Sequence, residues 1–132
     1  MPEELRISEV PGDVASVVDQ LTAALRARRI EIFATVDHAA GARAAGLELA
    51  DEVLLVFGNP AVGTALMQAD PRCGLDLPLR MLVWSQDGTT RVAYHDPVAL
   101  ADGYAVGGEH ATLEKLRGLL EQLAAEAGQR TR

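Results

Sequence analysis

The side chains in this chain that could do chemistry are few and scattered. Histidines stand at 38, 95 and 110, and the only cysteine, Cys73, lies in the segment PRCGLD. A nucleophilic thiol or hydroxyl needs a base beside it. A small hydrolase or redox enzyme would therefore be built from His38 with Asn59 and Thr64, or from His38 with Cys73. No spacing gathers them: C-x-x-C and H-x-x-x-H are both absent, so no structural metal site is expected. His38, Met67, Cys73 and His95 would suit a soft metal only if the fold brought them to one point. Cys73 has Arg72 beside it but also Asp70 and Asp76 nearby, which gives no clear electrostatic reason for a lowered thiol pKa.

The string Gly58-Asn59-Pro60-Ala61-Val62-Gly63-Thr64 follows an apolar run and has the glycines and hydroxyl of a phosphate-binding loop. It lacks the lysine that reaches the terminal phosphates, and Pro60 removes one backbone donor. Nucleotide binding is not expected. Asn59 is instead placed to cap a helix whose first position is Pro60.

Periodicity supplies the elements that must position these residues. Leu5 and Ile7 alternate with polar neighbours up to Pro11-Gly12, and Asp13 can cap a helix carrying Val14, Val17, Val18, Leu21, Ala24 and Leu25 on one stripe. Arg26, Arg28 and Arg29 fall at its C-terminal end, where cations complement the helix dipole. Ile30, Ile32, Ala34 and Val36 alternate with Glu31, Phe33 and Thr35, predicting a strand that ends at Asp37-His38 and leads into a short helix to Ala45. Val53 to Phe57 reads as a central strand covered on both faces. A helix from Asn59-Pro60 ends at Asp70-Pro71. Leu79–Trp84 and Thr90–Tyr94 form a hairpin around Gln86-Asp87-Gly88, with Tyr94 able to pack beside Trp84 and Arg80 pointing outward. Asp96-Pro97 starts a short helix ending near Gly103. A last helix, from about Glu109 to Ala127, presents Leu113, Leu116, Leu120, Leu123 and Ala127, and the polar end GQRTR follows it.

The order predicts one α+β domain over residues 1–132: a mostly antiparallel sheet covered by two long helices, with short extra helices. Such a sheet leaves an open face, or a gap under a helix, for a partner or a small apolar ligand. With 19 acidic and 12 basic residues the net charge is −7, which repels a phosphate backbone, so nucleic acid is not an expected partner. No apolar run reaches membrane-spanning length and the first residues lack an export pattern, so a cytoplasmic protein is expected.

With these residues assembled, the chain resembles the bacterial and archaeal family known as Domain of Unknown Function 302. The resemblance rests on TVDHAAGARAAGLEL, EVLLVFGNPAVGTALMQADPRCGLDLPLRMLVW and VAYHDPVALA. It implies a TATA-binding-protein-like β-α-β(4)-α arrangement and a homodimer formed through the sheet or the middle loop, and it supplies no activity. Asp37, His38, Gly58, Asn59, Gly63, Thr64, Met67 and Tyr94 match its signature, whereas Cys73 is less typical.

The function expected from the sequence is non-catalytic: small-molecule binding or protein interaction as a homodimer, without a cofactor. The candidate site is bordered by Gly58 to Met67, the loop to Pro78, and Asp37-His38, with Tyr94 as a further lining candidate. The alternative is the small enzyme described above.

Overall fold

A computed structural model describes residues 4–129. The polar chain end at 130–132 lies outside them. The elements are β1 (Leu5–Val10), α1 (Val14–Ala27), β2 (Glu31–Asp37), α2 (His38–Ala44), β3 (Glu52–Gly58), α3 (Pro60–Ala69), β4 (Leu79–Gln86), β5 (Thr89–His95), α4 (Leu100–Gly103) and α5 (His110–Ala127). Short 3-10 segments occupy Pro71–Leu75, Pro97–Ala99 and Gly107–Glu109. The strands form one five-stranded sheet in the order β1-β5-β4-β3-β2. All its pairings are antiparallel, so the fold is α+β.

Local chemistry starts most of the helices. Asp13 accepts the N–H of Ser16 at 2.8 Å, Asp37 that of Ala40 at 2.8 Å, and Asn59 that of Ala61 at 2.9 Å, each satisfying an orphan donor of the first turn. The β4–β5 hairpin closes on Asp87-Gly88, with φ of 52° and 78°. Both angles are left-handed, as the tightest hairpin loop demands, and Asp-Gly adopts them readily.

One side of the sheet carries the core. Leu55 and Phe57 of β3, Met81 and Val83 of β4, and Val92 and Tyr94 of β5 point toward α1 and α5. Those helices answer with Val17, Leu21 and Leu25, and with Leu113, Leu120 and Leu123, all fully buried. Each such side chain contributes about 1.5–3 kcal/mol through burial. Gln20 on α1 donates to the carbonyls of Glu126 at 2.6 Å and Gln129 at 3.0 Å, and Arg28 pairs with Glu126. These polar contacts tie the end of α5 to α1.

Several expectations need correction. The central strand is β4, not β3; β3 stands second from the edge and is covered on one face only, with Leu54 and Val56 half-buried on the other. The apolar alternation expected along β2 is broken by a bulge between Ile32 and Ala34. Ile32 packs on the core, whereas Ala34 is exposed and Val36 is 39% exposed. Tyr94 does not pack beside Trp84, because the two alternate to opposite sides of the sheet: Tyr94 is in the core cluster, and Trp84 pairs with Arg91 on the other face.

Candidate functional site

A cavity of about 260 Å³ opens where the end of β3 turns into α3. Gly58, Asn59 and Pro60 form its corner, α3 supplies Val62, Gly63, Thr64 and Met67, and Leu77, Pro78 and Leu79 come from the chain entering β4. Leu116 of α5 and Phe33 of β2 complete the wall.

Phe33 reaches the cavity because of the β2 bulge. Ile32 pairs with Phe57 and Ala34 with Val56, so Phe33 has no partner across the ladder. Its ring comes within 3.8 Å of the position a Cβ on Gly58 would take, and Pro78 within 3.6 Å. Glycine keeps this corner open without a left-handed backbone. On the helix side, Met67 is 37% exposed rather than a core residue. It arches over the glycines at both ends of its reach, with its methyl 3.8 Å from a Cβ built on Gly63 and its sulfur 3.1 Å from one built on Gly74.

Two polar groups at the corner are engaged locally. Asn59 spends its side-chain oxygen on the Ala61 N–H, and the Thr64 hydroxyl donates to the Pro60 carbonyl at 2.7 Å. Among the described residues, no ionisable side chain lines this cavity. The hollow is therefore suited to apolar surface, and it has no base to activate Thr64.

The other candidate residues stand elsewhere. Asp37 pairs with Val53 and Glu31 with Gly58, so Asp37-His38 and Asn59 occupy opposite ends of the β2–β3 ladder, roughly 20 Å apart at ~3.4 Å per residue. Proton transfer between His38 and Asn59 or Thr64 is excluded by that distance. Asp37 serves as the cap of α2, and His38 is exposed. Cys73 is fully buried, and burial, followed by the charges of Asp70 and Asp76, pushes its thiol pKa up. The thiolate is thus disfavoured. Among the described residues, no group of His, Cys, Asp or Glu converges to hold a metal.

Tyr94 belongs to a separate polar region. It lines a hollow with Arg6, Asp96, Arg117 and Glu121. Asp96 accepts from Arg117 at 2.7 and 3.1 Å and from the Val98 N–H at 3.0 Å, and pairs with Arg6 at 3.4 Å. Burial alone would raise its pKa, but the hydrogen bonds from Arg117 and Val98 prevail and hold it below the usual carboxylate range. Nearby, Asp70 accepts from Arg72 at 2.8 and 3.1 Å and from the Ala105 N–H at 2.9 Å. The Arg72 bond first, then Ala105, keep it ionised well below the usual range. Tyr104 donates to Asp76, and the Arg72 guanidinium lies 5.9 Å from the centre of its ring. These networks join the Asp70–Asp76 segment and α5 to the stretch between β5 and α5. Their carboxylates have partners already, as a structural network requires.

Sequence reading placed Gly58, Asn59, Gly63, Thr64 and Met67 at one site, and the structure brings all five together. It missed Phe33, because an unbroken alternation sets that ring among Glu31 and Thr35. It also missed Leu116, whose spacing marks a core face of α5 but not the gap that this face crosses.

Comparison with known proteins bears on the whole fold. A solved structure described as an uncharacterized conserved protein DUF302 from Bacillus stearothermophilus aligns with a TM-score of 0.73, covering 99% of this chain and 100% of that one at 19% identity. At that identity it shows the fold. Two Brucella proteins named fluoride-specific ion channel FluC 1, from Brucella suis and Brucella abortus, are each 42% identical over 96 residues, or 71% of this chain. The match spans only 37% and 35% of those relatives, about a third of their length. The model of the family described as domain of unknown function DUF302 matches residues 7–123. Nearly all of the sheet, α1 and most of α5 fall inside that match, and the chain belongs to the DUF302 family.

Proposed function

We propose that this domain binds a small, largely apolar molecule in the corner cavity and does not transform it. The observation that carries this reading is the wall itself: Phe33, Met67, Leu77 and Leu116 surround about 260 Å³ with no ionisable group among the lining residues. A hollow of that character binds by desolvation and shape. Thermal unfolding in the presence of a metabolite panel grouped by polarity tests it. A ligand at 100 times its Kd adds about 2.7 kcal/mol of stability. Stabilisation by apolar members that is lost in Phe33→Ala is the expected result, and no stabilisation by any class overturns the reading.

We further propose that the domain works as a homodimer joined through its open sheet face. Ile7, Ala93, Leu82, Leu54 and Val36 form an apolar row crossing all five strands. Strand spacings of ~4.8 Å and side-chain rows ~7 Å apart give the face roughly 500 Å², so two copies bury about 1,000 Å², the size of a weak, reversible interface. Arg80 and Trp84 flank the row on β4. A two-fold axis running along that row would set Arg80 of one copy over Trp84 of the other.

A second reading comes from the Brucella relatives. No helix among the described residues is long and apolar enough to cross a membrane, yet a homologous segment makes up about a third of proteins named as fluoride-specific ion channels. We propose that this domain acts as a companion of fluoride export. Growth of a deletion strain in rising fluoride is the test: lowered tolerance is expected, and unchanged tolerance overturns the link.

A further inference from the structure

We propose that the ligand is a single-chain anionic amphiphile, a medium-chain carboxylate, with its tail in the corner cavity and its head group on Lys115. The proposal rests on the reading of that cavity as a ligand site and names the class of molecule it takes.

On the other side of α3 lies a second hollow of about 410 Å³, whose lining includes Ile30, Ala61, Ala65, Thr112, Lys115 and Leu119. Both hollows are bounded by Gly58, Asn59, Val62, Leu79 and Leu116, so they adjoin along the underside of α3. Of the ten residues of α3, only Leu66 is buried. The helix straddles the two hollows, showing Gly63 and Met67 to one and Ala61 and Ala65 to the other. Each pair is spaced four residues apart, as residues sharing one helical face must be. The small side chains at 61 and 65 leave room beneath the helix, and Val62 stands at the junction.

The two hollows differ in one chemical respect. The first has no ionisable lining residue, whereas the second has one, Lys115, which is the only lysine in the chain. Among the described residues Lys115 forms no ion pair, whereas its neighbour Glu114 is engaged by Arg117 at 3.4 Å and His110 at 3.5 Å. An unpaired ammonium on the wall of an apolar hollow that adjoins a second one favours a ligand with one anionic end and an uncharged body. A helix is ~10 Å across, so a tail passing under α3 from Lys115 to Phe33 and Met67 needs medium rather than short length.

The test uses hexanoate, octanoate and decanoate, with the matching primary alcohols, all below their micelle-forming concentrations. Lys115 is reductively methylated with carbon-13 so that its dimethylamine signal reports directly on the head group. Affinity is expected to rise about fourfold per added methylene until the tail fills the cavity. The acids should bind about 2- to 5-fold more tightly than the alcohols, and only the acids should move the Lys115 signal. Lys115→Gln, at an exposed position, should erase the advantage of the acids and leave alcohol binding intact, while Lys115→Arg should keep it. If acids and alcohols bind equally and the Lys115 signal stays still, the amphiphile proposal falls and the cavity reading stands. If acids bind without dependence on chain length, the head group alone is being recognised and the proposal also falls. If neither series binds and no Phe33 or Met67 resonance moves, the cavity reading itself fails.

Discussion

The ring of Phe33 lies 3.8 Å from the point where a Cβ on Gly58 would stand, which makes this pair the rim of the corner cavity. Gly58→Ala introduces a methyl at ordinary van der Waals distance from Phe33 and Pro78, and the backbone there is not left-handed. The fold should tolerate it within about 0.5–1 kcal/mol, while ligand binding weakens because the mouth narrows. Titration calorimetry beside denaturant unfolding separates the two effects. Phe33→Ala should cost about 1 kcal/mol of stability, since the ring is 45% exposed, and should lose most of the ligand-induced stabilisation.

The core responds differently. Phe57 is completely buried on the helix side of β3, so Phe57→Ala removes a ring and leaves a void that the close-packed layer fills only in part. A loss of about 3–5 kcal/mol is expected in urea unfolding, a large share of the stability of a typical domain.

Acid should loosen the segment between β5 and α5 first. The pKa values of Asp70 and Asp96 are both depressed in the folded state, Asp70 by Arg72 and then the Ala105 N–H, and Asp96 by Arg117 and Val98 acting against the opposing effect of burial. A carboxylate with a lowered folded pKa stabilises the fold at pH values above its unfolded value, near 4, and that contribution disappears as pH falls through the folded value. Unfolding free energy should therefore hold steady down to about pH 5 and fall below pH 4. Asp70→Asn should flatten that fall, and the Ala105 amide should lose hydrogen-exchange protection in the variant.

Cys73 should be inert. With its thiol pKa raised by burial and by the neighbouring Asp70 and Asp76, reaction with a disulfide reagent at neutral pH should be slow in the native protein and fast in denaturant. Rapid native labelling would show that the segment Pro71–Leu75 opens readily.

On the open face, Leu82→Glu places a charge in the middle of the apolar row without touching the core. It should give monomers in sedimentation velocity with little change in unfolding. A monomeric wild type at the same concentration would remove the homodimer.

The parts of this architecture legible in the sequence are those set by neighbours along the chain. Asp13, Asn59 and Asp96 cap because each lies two or three residues ahead of the amide it accepts, and Asp87-Gly88 turns because of its own backbone preferences. Which strand is central depends on partners dozens of residues away, as when Leu5 pairs with His95. The apolar run Val53–Phe57 therefore looked doubly covered when one of its faces is open. His38 and Asn59 both follow strands and look alike in sequence, and only the antiparallel pairing of β2 with β3 sends them to opposite ends.

The extra residue in β2 also governs how the strand can evolve. Replacing a side chain there is a local event, because Ala34, Thr35 and Val36 are exposed. Deleting the unpaired Phe33 would remove the bulge and leave Ile32 opposite Phe57 and Ala34 opposite Val56, so the pairs on both sides of it would keep their register. Thr35 and Val36 would stay opposite Leu55 and Leu54, and only the aromatic rim of the cavity would vanish. The extra residue thus serves the cavity rather than the pairing of the sheet.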